Sequence, residues 1–150
     1  MATTLNLYDQ WRDAVADPAR AAAIAGTLKC AIVTATYTVD QNLHDFFDDI
    51  GANQVSGTNY TAGGNTCATP TWTGPDGAGL MTFDASDPAA WLQSGTGFSN
   101  GRRAIFYYDT GTSTTSRLVA YTADFGADSG NVAGDFSVAI NAAGIYTSPR

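Results

Sequence analysis

His44 and Asp48 stand four residues apart in HDFFDD, and on a helix that spacing brings an imidazole and a carboxylate to one face as two ligands for a metal ion. The set stops there. An HExxH site needs a glutamate and a second histidine, whereas this chain has one histidine and its 14 carboxylates are all aspartate. A solvated polar face accounts for both residues. A second acidic stretch, Asp124 to Asp135 (DFGADSGNVAGD), has the composition of a calcium loop but lacks the alternating D-x-[DN]-x-[DN]-G order and the closing glutamate. No glycine run carries the Lys-Ser/Thr of a phosphate loop, and no serine sits in a G-x-S-x-G elbow. General acid–base work would fall to His44 or to a tuned aspartate. The residues name no catalytic, cofactor or metal site, and the expectation is a protein that is not an enzyme.

Cys30 and Cys67 both fall in apparent strands. The expected state is two buried free thiols in a reducing compartment, with a disulfide as the alternative. Two distant cysteines and one histidine fall short of a zinc set.

The element that must position His44 is specified by apolar spacing. Leu43, Phe46, Phe47 and Ile50 lie at i, i+3, i+4 and i+7, which predicts a helix over Asp40 to Ile50, capped by Asp40 and ended by Gly51. Its apolar stripe should lie on a sheet opened by Leu28 to Tyr37, whose two apolar faces suit a central strand covered on both sides. Asp45, Asp48 and Asp49 crowd the helix end that disfavours negative charge, with Arg102 or Arg103 as the cations available to compensate them. The polar run VSGTNYTAGG then reads as an extended, turn-broken surface segment.

Before this core, Leu5, Tyr8, Trp11 and Val15 have near-helical spacing up to Asp17-Pro18, and ARAAAIAG supplies a second helical piece ending at Gly26. Residues 1–26 are therefore expected to form an N-terminal helical arm on a β-rich domain, residues 27–150. Leu5, Leu7, Tyr8 and Trp11 are the candidates for reaching a neighbouring subunit or a shell. The alternative is that Tyr8 and Trp11 dock the segment onto the chain's own core.

After it come extended runs at Val55 to Ala62, Asn65 to Thr73 and Gly79 to Asp84, expected as an antiparallel meander with a turn at Pro75-Asp76-Gly77. DPAAWLQ, Asp87 to Gln93, reads as a helical turn with Pro88 in its first position. RAIFYY (Arg103 to Tyr108) and RLVAYT (Arg117 to Thr122) flank the polar loop DTGTSTTS as a hairpin with an exposed tip. Asp135 to Ile140 closes the sheet. The predicted class is α+β: mainly antiparallel, with a strongly curved sheet or partly closed barrel packed on one short helix.

At 150 residues the chain is most simply one domain, large enough to bury a core. Charged residues are only 14% of it, against about a quarter in ordinary globular chains. A net charge of -7 would be repelled by a nucleic acid backbone. No basic segment leads into an apolar one at the N-terminus, and the apolar run from Ala21 to Ala35 is broken by Gly26 and Lys29. The expectation is a protein made in a cytoplasm, with neither nucleic acid nor membrane as partner.

LKCAIVTATYTVD, HDFFDDI, VSGTNYTAGG, AIFYYDTGTSTTSRLVAYTADFG and GDFSVAINAAGIY occur here in that order. This series resembles a family of small virion proteins of tailed bacteriophages. Its members carry KVALV…YTPD, HDFFDDV, VSGTGYTAGG, YKDTGTAATSPLIGY and GDFTI…G in the same sequence. The resemblance spans Leu28 to Tyr146 and is thinnest between Pro70 and Asn100. It implies a capsid decoration (cement) protein on the outside of the mature head, with the major capsid protein and its own copies, as a trimer, for partners. Two other classes stay open. One is a tail or head-fibre component using DTGTSTTS and SGTGFSNG as recognition tips. The other is a small-molecule or sugar-binding module built on Trp72, Trp91, Tyr107 and Tyr108.

Overall fold

Strand-forming residues dominate the second half of the chain, and the sheet they build organises the rest. The computed structural model describes residues 2–16, 24–73 and 81–148. Along the chain these form β1 (Ala2–Thr3), β2 (Leu5–Leu7), α1 (Asp9–Ala16), β3 (Thr27–Thr34), the short helix α2 (Asp48–Gly51), β4 (Asn65–Thr66), β5 (Thr71–Thr73), β6 (Met81–Asp84), β7 (Gly101–Asp109), β8 (Leu118–Thr122), β9 (Ala139–Ile140) and β10 (Tyr146–Ser148). A five-stranded sheet runs β2-β8-β7-β3-β4, a three-stranded one β10-β6-β5, and β1 pairs with β9. Apart from the parallel β1–β9 pair, the strand pairings are antiparallel.

β3 and β7 are the centre, registered from Thr27↔Asp109 to Thr34↔Gly101. Their alternation sends side chains to two cores, as expected for a strand covered on both sides. Leu28, Cys30 and Ile32 meet Trp11, Phe83, Trp91 and Phe98, while Ala31 and Val33 meet Tyr8, Tyr37 and Ile50. The β7–β8 hairpin matches its sequence signal, with Ile105↔Tyr121 and Phe106↔Ala120 in register and a bulge before Tyr107. Cys30 and Cys67 are free and buried, and burial pushes the Cys67 thiol up to about 12.

Four expectations are corrected. Among the described residues the sheets are open, with β2 and β4 as the edges of the largest, and none is closed into a barrel or strongly curled. Residues 2–16 are not an arm: β1 and β2 pair with β9 and β8, and Tyr8 and Trp11 are fully buried. Two large aromatic rings bury more apolar area inside the chain than a projecting helix could keep dry. The helix over Asp40 to Ile50 is reduced to Asp48–Gly51. Phe47 N–H donates to Ser116 O and Leu118 N–H to Asp45 O, so the backbone of 45–47 pairs with the entry to β8 instead of with itself. The proposed stripe never forms: Leu43 is 75% exposed and Phe46 only half-buried beneath Arg117, while Ile50 is enclosed. Asp87 to Gln93 is not helical either. Pro88 and Trp91 bridge to Cys67 and Phe136, and the Asp87 carboxylate accepts the Ile140 amide at 2.7 Å.

The extended runs are also regrouped. Val55 to Ala62 forms turns, and Asn65 to Thr73 is divided between two sheets. Asp135 to Ile140 contributes a strand only at Ala139–Ile140. The turn Pro75-Asp76-Gly77 and most of the helical piece ending at Gly26 lie outside the described residues. No helix among the described residues is long and apolar enough to cross a membrane.

The exclusive use of aspartate has a local reason. Carboxylates of Asp40, Asp49, Asp84, Asp109 and Asp124 accept backbone amides within four residues of themselves, and those of Asp87 and Asp135 accept the distant amides of Ile140 and Gln93. A short acid can bend back to its own backbone, which is why aspartate fixes turns so readily.

Candidate functional site

The residues singled out for contact with a neighbour do not form a surface. Trp11 stacks on Trp72 with centroids 5.9 Å apart, and contacts Phe83 and the edge of Tyr146. Tyr8 is equally enclosed, its hydroxyl 2.8 Å from that of Tyr37. Leu5 and Leu7 are half-buried against the same core. The aromatic set for a sugar site is likewise dispersed. Trp91, Tyr107 and Tyr108 are buried, and Trp72 is half-buried between Trp11 and Phe83.

His44 and Asp48 do not share a helix, since His44 lies in the turn before α2. Arg102 donates to Asp124 and Asp128, so the guanidinium expected near Asp45, Asp48 and Asp49 instead braces the loop after β8. Arg103 donates to Thr122 O. Among the described residues, no group of three or more His, Cys, Asp or Glu could hold a metal ion.

What the chain does assemble is a surface cleft of about 210 Å³, lined by Phe47, Gln54, Ala62, Gly63, Tyr107, Asp109, Gly111, Ser113 and Ser116. Phe47 stacks on Tyr107 with ring centroids 4.4 Å apart and forms an aromatic wall. The Tyr107 hydroxyl donates to Gly63 O at 2.9 Å, while Gly63 N–H donates to Gln54 Oε1 at 2.7 Å. The Tyr60 hydroxyl shares that acceptor at 3.0 Å, and Gln54 Nε2 donates to Gly51 O. Gln54 thus ties the end of α2 to the Gly63 turn.

The opposite wall is the tip after β7. Asp109 Oδ1 accepts the Gly111 amide and Ser116 Oγ accepts that of Thr110. The Ser116 hydroxyl donates to Thr112 O at 2.8 Å, and the Thr110 and Thr115 hydroxyls meet at 2.6 Å. These bonds hold an exposed loop in one shape. Its polar groups are largely satisfied within the chain, so the cleft offers aromatic faces, small residues and the exposed Ser113 hydroxyl. Such a lining suits contact by shape and apolar area, and its Ser116 hydroxyl, 3.4 Å from Asp109 Oδ1, is also bonded to Thr112 O at 2.8 Å.

Lys29 Nζ lies 2.7 Å from Asp109 Oδ2, with both side chains about one-quarter exposed. The Lys29 hydrogen bond is the main reason the Asp109 carboxyl titrates below the ordinary aspartate range. A lowered folded-state value means stability that is present above the unfolded value, about 3.9, and lost as pH falls through the folded one. Asp109→Asn should therefore cost about 1 kcal/mol near neutrality and reduce the slope of the acid limb in denaturation measured from neutral pH downward. An acid limb identical to that of the parent protein would exclude Asp109 from acid sensitivity.

The cleft joins Phe47 of HDFFDDI, Ala62 and Gly63 of VSGTNYTAGG, and Asp109, Gly111, Ser113 and Ser116 of DTGTSTTS, which are well separated in sequence. Sequence reasoning found these stretches but missed Gln54, Tyr107 and the Lys29–Asp109 pair as what links them. The available signal was the double glycine: Gly64 packs directly on the Cys30 carbonyl, which seats its turn against β3. No protein-family model, curated protein or solved structure matches this chain.

Proposed function

We propose that this chain is a structural protein of a tailed-bacteriophage virion that acts as a decoration protein on the mature head. The observation that carries the reading is the convergence of HDFFDDI, VSGTNYTAGG and DTGTSTTS, three of the stretches behind the family resemblance, on one cleft. A pre-shaped docking face, whose carboxylate Asp109 is already paired with Lys29, suits contact with another protein, because little ordering entropy remains to be lost on binding. Each copy would cover a seam of the capsid protein lattice through an interface of about 1,600 Å². Binding only the expanded shell then stabilises that state by linkage. Copies of this chain, as a trimer, remain part of the proposal, with contacts supplied by surface loops and not by the buried Tyr8 and Trp11.

The exposed tip at residues 110–115 favours a second reading, a tail or head-fibre component. The sugar-binding alternative loses support from the burial of Trp91, Tyr107 and Tyr108.

The test is cryo-electron microscopy of purified particles combined with quantitative mass spectrometry. Many copies on the head lattice with Phe47 at the contact, and loss of particle binding by folded Phe47→Ala protein, are expected. Density confined to the tail would replace decoration with the fibre reading, and particles lacking the protein would end both.

A further inference from the structure

A line of hydrogen bonds runs from the core to the turn that precedes α2. Tyr8 and Tyr37 hydroxyls lie 2.8 Å apart, the Tyr37 hydroxyl lies 2.8 Å from His44 Nδ1, and the Asp40 amide donates to the same nitrogen at 3.2 Å. A backbone N–H can only donate, so it fixes the direction of the whole line. His44 Nδ1 must carry a lone pair, which puts the ring proton on Nε2. Tyr37 then donates to Nδ1, and Tyr8 donates to Tyr37. Burial keeps both phenols protonated, pushing Tyr37 up to about 12 and Tyr8 further still.

We propose that this line is a proton-operated latch, in which a proton taken from solvent by His44 Nδ1 releases the His44 turn from Tyr37 and from the Asp40 amide. Once Nδ1 carries a proton it faces the Asp40 amide, donor against donor. Tyr37 must then accept from Nδ1, so three protons share the two contacts of the line and one phenol proton loses its acceptor. A buried donor without an acceptor is the costly outcome. The structure relieves it by letting the turn move away. Leu43 at the turn's outer side is exposed and adds little packing, while Val39 and the bonds of Gln41 to Asp9 and Tyr121 confine the movement to the His44 end of the turn.

Other groups act on the same site. Asp45, Asp48 and Asp49 lie just beyond His44, and Asp49 also holds the amides of Asp45 and Phe46. The Asp40 carboxylate is engaged with the amides of Asn42 and Leu43, and Asp9 with Gln41 and Arg12. Tyr121 and Arg103 face the two phenols from β8 and β7, and Arg117 offsets Asp45. Phe47, the aromatic wall of the cleft, is three residues beyond His44, but the latch stands whether or not the cleft binds a partner.

Amide hydrogen exchange on the full chain tests this between about pH 8 and about pH 5, after correction for intrinsic rates. Protection of the Asp40 amide should fall about tenfold or more as His44 gains its proton. His44→Asn, whose Oδ1 can accept in place of Nδ1 without titrating, should keep it. Constant protection in the parent protein would overturn the latch, and so would the same loss in the asparagine variant. Should that variant not fold, the ring ¹⁵N shifts of His44 decide. Nδ1 must start unprotonated, and its protonation must coincide with the loss at Asp40; a proton already on Nδ1, or two separate transitions, would overturn the proposal.

Discussion

Trp11→Ala should lower the stability of this protein by about 3–5 kcal/mol, the cost of removing a large ring from a closed core. Trp11 is fully buried and packs against Trp72, Phe83 and Tyr146, so its loss opens a cavity where α1 meets the three-stranded sheet. Most domains of this size hold only about 5–15 kcal/mol in total. Urea denaturation followed by circular dichroism should show a lower midpoint with an unchanged slope. Leu43→Ala, at an exposed position, serves as control and should stay within about 0.5 kcal/mol. Deleting residues 1–16 should go further than either, since it strips β2 from β8 as well as emptying the Trp11 site. A cost below about 1 kcal/mol for Trp11→Ala would mean that the N-terminal segment is peripheral after all.

Gly64→Ala should be nearly as damaging, with an expected loss of about 3 kcal/mol or more. Gly64 has φ +74°, where a side chain is already disfavoured, and an added Cβ would fall onto the Cys30 carbonyl. Cys30 belongs to the central strand β3 and is registered with Asn65, so it cannot retreat without disturbing the ladder. Gly111 separates the two causes. Its φ is +87°, but a Cβ there meets open space, so Gly111→Ala should cost only about 1 kcal/mol. Equal losses at both positions would show that backbone conformation alone sets the effect and that close packing on β3 adds nothing.

The two positions also mark different depths of legibility. The hairpin around DTGTSTTS could be read directly, because dense aromatic and branched residues on both sides of a polar run leave few other ways to bury them. β3 was equally plain from its two apolar faces. Asp40 to Ile50 misled for a definite reason. Its spacing is helical, and the His44 amide does bond Asp40 O as one helical turn would. The next backbone groups then find better partners at Ser116 and Leu118, whose positions depend on a hairpin more than sixty residues away. For Trp11 the helical spacing holds within Asp9–Ala16, but it shows only that a face is apolar, and the fold chose docking on the chain's own core over reaching a neighbour.

The sequence by itself determined that this is a mainly antiparallel β chain with scarce charge, because strand propensity and alternation act within a few residues. Only the tertiary structure decided that the N-terminal segment is core, that the sheet stays open, and that Phe47, Gln54, Gly63, Tyr107 and Asp109 share one cleft. Those outcomes depend on long-range pairings, in which each backbone group takes the best partner that the folded chain brings within reach.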